Sequence, residues 1–296
     1  MTSRLPAVTI GIPFYNAEQF LPDAIRSVFA QTHEDWELIL VNDGSTDRSL
    51  EIAMSVDDPR VRVISDGQNR RLPYRLNQIA AEARYDYVAR MDADDLMSRD
   101  RIERQISILM TRPDLDLIST GVCSISNDGF VAGVRCAEQN RRLSLVDVLS
   151  GRSGIVHASV LARRSWFLRN PYDTNQILTE DYELWVRAYM GGDLSHAILA
   201  EPLYFYREDG NVTASKILRA YASQRSNISR FFSKPFDRGR HLCPLYLKSL
   251  MVHLADLLGL MWVLRRQRAS AAHQAEATSF EAEIKAIRSI MVPGLD

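Results

Sequence analysis

Three aspartates, Asp92, Asp94 and Asp95, follow directly on the apolar-rich stretch Tyr85–Met91, in the run Arg90-Met91-Asp92-Ala93-Asp94-Asp95. Carboxylates packed this densely repel one another, and a cation is the commonest relief. Mg²⁺ or Mn²⁺ holding a diphosphate takes one or two carboxylates plus phosphate oxygens, so the spacing suits such a site. A solvated acidic turn leading into the helix that starts near Ser98 would use the same residues. Two common ways of holding phosphate are missing. No G-x-G-x-x-G follows the first strand pattern, and no lysine-bearing G-x-x-x-x-G-K-[ST] loop occurs. Phosphate would then be held by metal or by arginine, which favours the metal reading of the acids.

The elements that must position these groups alternate over the first 120 residues. Val8–Ile12, Glu37–Val41, Val61–Ile64, Tyr87–Met91 and Leu115–Thr120 read as strands. Between them lie helical patterns carrying Phe20, Ala24, Ile25, Val28 and Phe29, then residues to about Met54, then Tyr74–Ala83 and Arg99–Thr111. Asn16 with Gln19 resembles a capping box, Pro22 belongs in a first turn, and Ser45 or Thr46 is placed to cap the second helix. Helices between strands imply a mostly parallel sheet with right-handed crossovers. Pro13–Asn16, Asn42–Asp47 and Asp92–Asp95 follow strands, and so fall at the sheet edge where open α/β sheets take ligands. With Thr179-Glu180-Asp181 they are expected to converge on one crevice.

Beyond residue 120 the pattern becomes α+β, with strands near Val131–Cys136, Val156–Ala162 and Ser195–Leu199. Helices are expected at about Leu143–Leu149 and after Thr179, the latter with Tyr182, Trp185 and Tyr189 on one face. From Ala214 the chain reads as helical. The expected division is residues 1–120, a nucleotide-binding half; 121–213, an acceptor-binding half of the same domain; and 214–296, a helical extension. Within Tyr246–Leu264 a mostly apolar helix carries Lys248, His253 and Asp256, followed by Arg265-Arg266-Gln267-Arg268. It suits packing on the domain or lying on an anionic membrane. Phe280, Ile284, Ile287 and Met291 give a last amphipathic face for packing or for a homodimer.

The chain is 296 residues long with a formal net charge of −1, which excludes general affinity for nucleic acid. Cys123, Cys136 and Cys243 are too few and too scattered for a disulfide framework or a zinc site, and fit a reducing cytoplasm. No secretory leader is expected from Met1–Pro6, and no spanning helix from the hydropathy pattern.

The segments Val8-Thr9-Ile10-Gly11-Ile12-Pro13-Phe14-Tyr15-Asn16, Leu40-Val41-Asn42-Asp43-Gly44-Ser45-Thr46-Asp47, Met91-Asp92-Ala93-Asp94-Asp95 and Thr179-Glu180-Asp181-Tyr182-Glu183-Leu184-Trp185 together resemble family 2 glycosyltransferases of the GT-A fold, over about residues 5 to 210. The resemblance implies a Rossmann-like nucleotide-binding sheet merged with an acceptor-binding half. Pro13 and Tyr15 would border the nucleotide base, with Asn16 and Ala93 in the same donor-binding set, and Asp43 would accept from the uracil N–H. Asp92 would face ribose or metal and Asp94 would bind Mn²⁺ or Mg²⁺, while Asp95 would stabilise the loop or cap the next helix. Arg71 or Arg75 would meet the diphosphate or the acids; the family often has glycine near Arg71, a departure here.

Asp181 is the expected catalytic base, because an inverting transfer needs a carboxylate beside the acceptor hydroxyl. Glu180 would raise its pKa or reach the acceptor itself; the plain alternative is a pair of acids favoured by the helix dipole. Two features resemble bacterial surface-polysaccharide members: His157, expected on a strand facing the acceptor, and Arg207, expected to meet the diphosphate or form a surface ion pair. The expected partners are a nucleotide-sugar donor, a saccharide or lipid-linked saccharide acceptor and, through the C-terminal helices, the inner face of a membrane. A nucleotidyltransferase would carry a glycine-rich basic loop where Pro13–Asn16 stands, and a non-catalytic nucleotide-sugar regulator would not need both Asp94 and Asp181.

Overall fold

The structure is a computed structural model describing residues 4–136, 143–176, 178–208, 213–232, 235–260 and 274–296. The sheet starts from two strands, β1 (Val8–Phe14) and β2 (Trp36–Asn42), in which every position is buried. Continuous burial is what a parallel strand covered on both faces requires. β3 (Val61–Ser65) pairs with β2, and β4 (Tyr87–Arg90) with β1, all parallel. The order β3-β2-β1-β4 continues into β8 (Leu161–Arg163), β6 (Leu117–Ile125), β9 (His196–Arg207) and β5 (Leu96–Met97), with β7 (Val131–Arg135) on β6. β8 is antiparallel to both β4 and β6, so the parallel half passes into a mixed half within one sheet.

Helices α1 (Leu21–Phe29), α2 (Ser49–Ser55), α3 (Arg71–Glu82) and α4 (Arg101–Thr111) connect the first half. Pro22 sits in the first turn of α1, where its missing N–H costs nothing. The expected caps differ. Asn16 lies in the left-handed region (φ 48°), and its Oδ1 accepts from Thr46 N–H instead of capping α1. α2 begins only at Ser49, held by the Asp47 carboxylate, while Ser45 Oγ accepts from Asn16 N–H. The two loops thus lock each other at the carboxyl end of the sheet.

β9 runs well past the expected Leu199, although Pro202 lies inside it. Opposite β6, Thr120 pairs with Leu199 but Val122 pairs with Tyr204, so the four residues Ala200 to Leu203 stand opposite Gly121 alone in a bulge that takes in Pro202. Gly121 faces this bulge, and a Cβ there would lie 2.5 Å from the Ala200 carbonyl oxygen. Residues Val156–Ala162 are not one strand: a 3₁₀ turn, His157–Ser159, precedes β8.

The remaining helices are α5 (Leu145–Leu149), α6 (Arg164–Arg169), α7 (Glu180–Met190), α8 (Ala214–Phe231), α9 (Pro235–Leu257) and α10 (Gln274–Arg288). No described helix is long and apolar enough to cross a membrane. Arg265-Arg266-Gln267-Arg268 lies outside the described residues. The amphipathic face of α10 packs inside the chain: Ile284 and Ile287 join Leu96, Cys123, Ile125 and Phe205, and Phe280 meets Phe205 edge-on. Met291 falls beyond the helix and is exposed.

Candidate active site

β4 delivers Asp92, Asp94 and Asp95 to the carboxyl edge of the sheet, and one oxygen of each lies within 4.8 Å of the others. The loop is braced from behind. Tyr204 Oη accepts from Asp92 N–H at 3.0 Å and donates to Asp95 Oδ2 at 2.9 Å. Arg207 N–H donates to Asp95 Oδ1 at 2.8 Å, and its Nε donates to the Asp94 carbonyl. Asp95 is therefore a strut of the loop and caps no helix; its burial, with Asp94 and Asp92 alongside, pushes its carboxyl well up. Burial and the neighbouring Asp92 also raise Asp94. The cluster is short of positive charge, and Asp92 and Asp94 have oxygens left to offer. That donor set fits a divalent oxygen-seeking cation.

Asp92 also lines a cavity of about 700 Å³, together with Arg90, His157, Glu180 and Asp181. Asp181 and Glu180 open α7, and Asp181 Oδ1 accepts from Tyr182 N–H at 2.7 Å. Burial raises both carboxyls; Asp181 adds to the rise at Glu180, and Arg90 counters it at each. The residue before this turn, Leu178, lines the cavity with φ 67°, a conformation that costs a non-glycine residue about 1–3 kcal/mol. His157, on its 3₁₀ turn, places Nε2 2.8 Å from Tyr172 Oη. Burial, helped by Arg90, drives its pKa well down, so the imidazole is neutral.

The expected donor residues are not all gathered in this cavity. Tyr15 and Asn16 stand exposed outside it, whereas Pro13 is buried in β1 and Ala93 in the acidic loop. The Asp43 carboxylate already accepts from Arg70 N–H, Arg71 N–H and Arg75 Nε. Arg75 is fully buried between Asp43 and Asp66, too committed to serve a diphosphate. Arg71 has an exposed side chain and a strained backbone (φ 70°), its N–H fixed by Asp43. Arg207 is neither in the cavity nor in a surface ion pair: it is buried behind the acidic loop, donating to the Asp94 and Asn127 carbonyls.

Arg90 is the participant that sequence reasoning passed over. It is 4% exposed, donates from Nη2 to Asp92 Oδ1 at 2.7 Å, and leaves Nε and Nη1 without partners among the described residues. Its signal was visible: an arginine ending a strand whose other positions are Tyr87, Val88 and Ala89. The Arg135–Glu208 pair, with Arg135 over the Tyr206 ring, also lines the cavity and had no such signal.

Residues 9–166 match the family model for glycosyl transferase family 2, more than half of the chain. The chain belongs to glycosyltransferase family 2. A candidate glycosyltransferase of Bacillus subtilis, EpsE, is 31% identical over 70% of this chain and 74% of its own. The O-antigen biosynthesis glycosyltransferase WbnJ of Escherichia coli is 25% identical over 78% of this family 2 chain and 91% of its own. Among solved structures, S. aureus TarS 1–349 in complex with UDP superposes with a TM-score of 0.59 at 15% identity, covering 81% of this chain and 70% of that one. The mannosyltransferase PcManGT of Pyrobaculum calidifontis, in complex with GDP-Man and Mn²⁺, gives 0.56 at 17% identity, over 97% and 86%. At those identities the likeness establishes the fold, which is GT-A. The chain is a glycosyltransferase.

Proposed function

We propose that this glycosyltransferase is inverting and metal-dependent, and moves a sugar from a UDP-linked donor to an acceptor hydroxyl in the assembly of a bacterial surface polysaccharide. One observation carries the reading: Asp92 of the acidic cluster and Asp181 of α7 line a single cavity of about 700 Å³, within the roughly 300–1,000 Å³ usual for small-molecule sites. The acceptor oxygen attacks the anomeric carbon while the carbon–oxygen bond to the diphosphate breaks. The bonding pair leaves with the diphosphate, and the hydroxyl proton passes to the Asp181 carboxylate. Asp92 and Asp94 would hold Mn²⁺ or Mg²⁺, which supplies charge neutralisation for the departing diphosphate. The rest falls to the protein. Tyr204 and Arg207 keep the acidic loop in place, Tyr182 N–H orients Asp181, and neutral His157 offers the acceptor a hydrogen-bonding partner. The UDP held by TarS and the O-antigen role in the name of WbnJ support the choice of donor and product class.

UDP release, measured with and without Mn²⁺, tests the reading. Asp181→Asn keeps the acceptor atom for Tyr182 N–H and should lose about 10²–10⁴-fold in turnover, the usual worth of a general base, with donor binding intact. Release from Asp181→Asn at the wild-type rate would refute the assignment.

A further inference from the structure

The side of α9 turned away from the body of the protein is apolar and bare. Tyr246, Leu247, Leu250, Met251, Leu254 and Leu257 are each between 48% and 82% exposed. At about 100° per residue they fall within an arc of roughly 140°, about 16 Å long. Leu245, Ser249 and Val252, on the opposite side, are the positions α9 buries. Chains that stay free in solution rarely leave so continuous an apolar strip uncovered.

Charge identifies the occupant. Residues 214–260 hold eight Lys and Arg against two Asp, a net +6, so with −1 for the whole chain the remainder carries −7. Arg240 and Lys248 are exposed beside the strip, and the Arg225 guanidinium lies 4.8 Å over the Tyr246 ring at its edge. Asp256, exposed like them, stands roughly 150° from the centre of the arc, on the opposite side of the helix. A second copy of the chain is a poor cover, because two-fold pairing of these strips would set basic flanks against basic flanks. A surface that is apolar inside and anionic outside matches both properties.

We propose that α9 lies in the interface of an anionic lipid membrane, its apolar arc among the acyl chains and its basic flanks among the headgroups. The helical hairpin also borders the cavity: Gln224 of α8 lies 3.6 Å from where a Cβ of Gly151, a cavity-lining residue, would stand. Docking would therefore hold the cavity rim close to the lipid surface, within reach of an acceptor carried there.

Flotation of the full 296-residue chain with vesicles of phosphatidylglycerol and phosphatidylcholine in equal parts, and with phosphatidylcholine alone, tests the proposal. The anionic vesicles should bind at least about tenfold more protein. Leu250→Gln with Leu254→Gln should cut that binding by about tenfold or more, since one buried leucine is worth about that factor. Both positions are exposed, so melting temperature and UDP release in solution should stay at wild-type values. Arg240→Gln with Lys248→Gln should erase the preference for anionic lipid. Failure of the wild type to float with either vesicle would overturn the proposal, as would flotation of the leucine variant at the wild-type level. A wild-type dimer that the leucine variant makes monomeric, without vesicle binding, would assign the strip to self-association. Because lipid binding is read without turnover, this outcome is independent of the transferase reading.

Discussion

Replacing Arg90 with methionine distinguishes a guanidinium that meets substrate from one that only holds the fold. Its hydrogen bond to Asp92 is 2.7 Å long. Removing one partner of a buried ion pair costs about 3–5 kcal/mol. The Asp92 side chain keeps 27% of its exposure, however, so water takes up much of the freed charge and the loss shrinks to about 1–2 kcal/mol. Against this, Nε and Nη1 are buried without partners among the described residues, and such groups carry about 1–3 kcal/mol each. Methionine, flexible enough to fill the space, removes both. The two relieved groups together, about 2–6 kcal/mol, outweigh the lost pair, so the melting temperature should hold or rise. Turnover should behave differently. Loss of a charge-assisted contact to donor or acceptor costs about 2–4 kcal/mol, or about 30- to 1,000-fold in kcat/KM. Scanning fluorimetry of the ligand-free protein and UDP release measure the two. A variant that melts more than about 10 °C lower, with kcat/KM within about threefold of wild type, would show that Arg90 is a strut and the reasoning wrong.

The pH profile should carry the same signature. Burial raises Asp181 above the ordinary aspartate value of 3.8, and a base must be ionised, so kcat/KM should fall on acidification from a higher pH than for a solvated aspartate; Asp181→Asn should remove that limb. Mn²⁺ at a hundredfold excess over its Kd should stabilise the protein by about 2.7 kcal/mol. Asp94→Asn should abolish that gain in calorimetry yet raise the metal-free melting temperature. Its carboxyl is raised by burial and Asp92, so the folded state binds its proton more tightly than the unfolded one, and the charge destabilises the fold above its folded pKa. Ile287→Ala, at a fully buried position of α10, should cost about 2–5 kcal/mol in denaturant unfolding; a loss below about 0.5 kcal/mol would mean that α10 is not docked on the sheet.

The parallel half of the fold was legible because buried parallel strands leave unbroken apolar runs, and β1, β2 and β4 appear within two residues of expectation. β9 runs eight residues past the expected Leu199, through a proline that strands rarely tolerate, and only the register of β6 reveals the bulge that accommodates it. His157 was placed on a strand because its neighbours are apolar; the turn is fixed by Ser159, whose Oγ accepts from Thr120 N–H, 39 residues away. The acids at 92–95 and 180–181 were legible because charge beside an apolar run needs a reason. The partners of Arg75 and Arg207 were not, since each can reach many carboxylates and long-range folding decides which. Arg75 meets Asp43 across 32 residues and Arg207 meets the Asp94 carbonyl across 113.

Helix α10 ties distant parts of the chain together. Glu283 accepts from Ser98 Oγ and Arg99 N–H, while Arg288 donates to Asp23, and Asp23 also faces Arg207 behind the acidic loop. During synthesis, the carboxylates that follow β4 leave the ribosome nearly two hundred residues before Arg288 can join Asp23. At about 5–20 residues per second, the emerging polypeptide spends on the order of ten seconds or more without this clasp. A chain cut short before Arg288 would still hold its acidic loop through Tyr204 and Arg207 but would lack the Arg288 clasp on Asp23 that stands behind them.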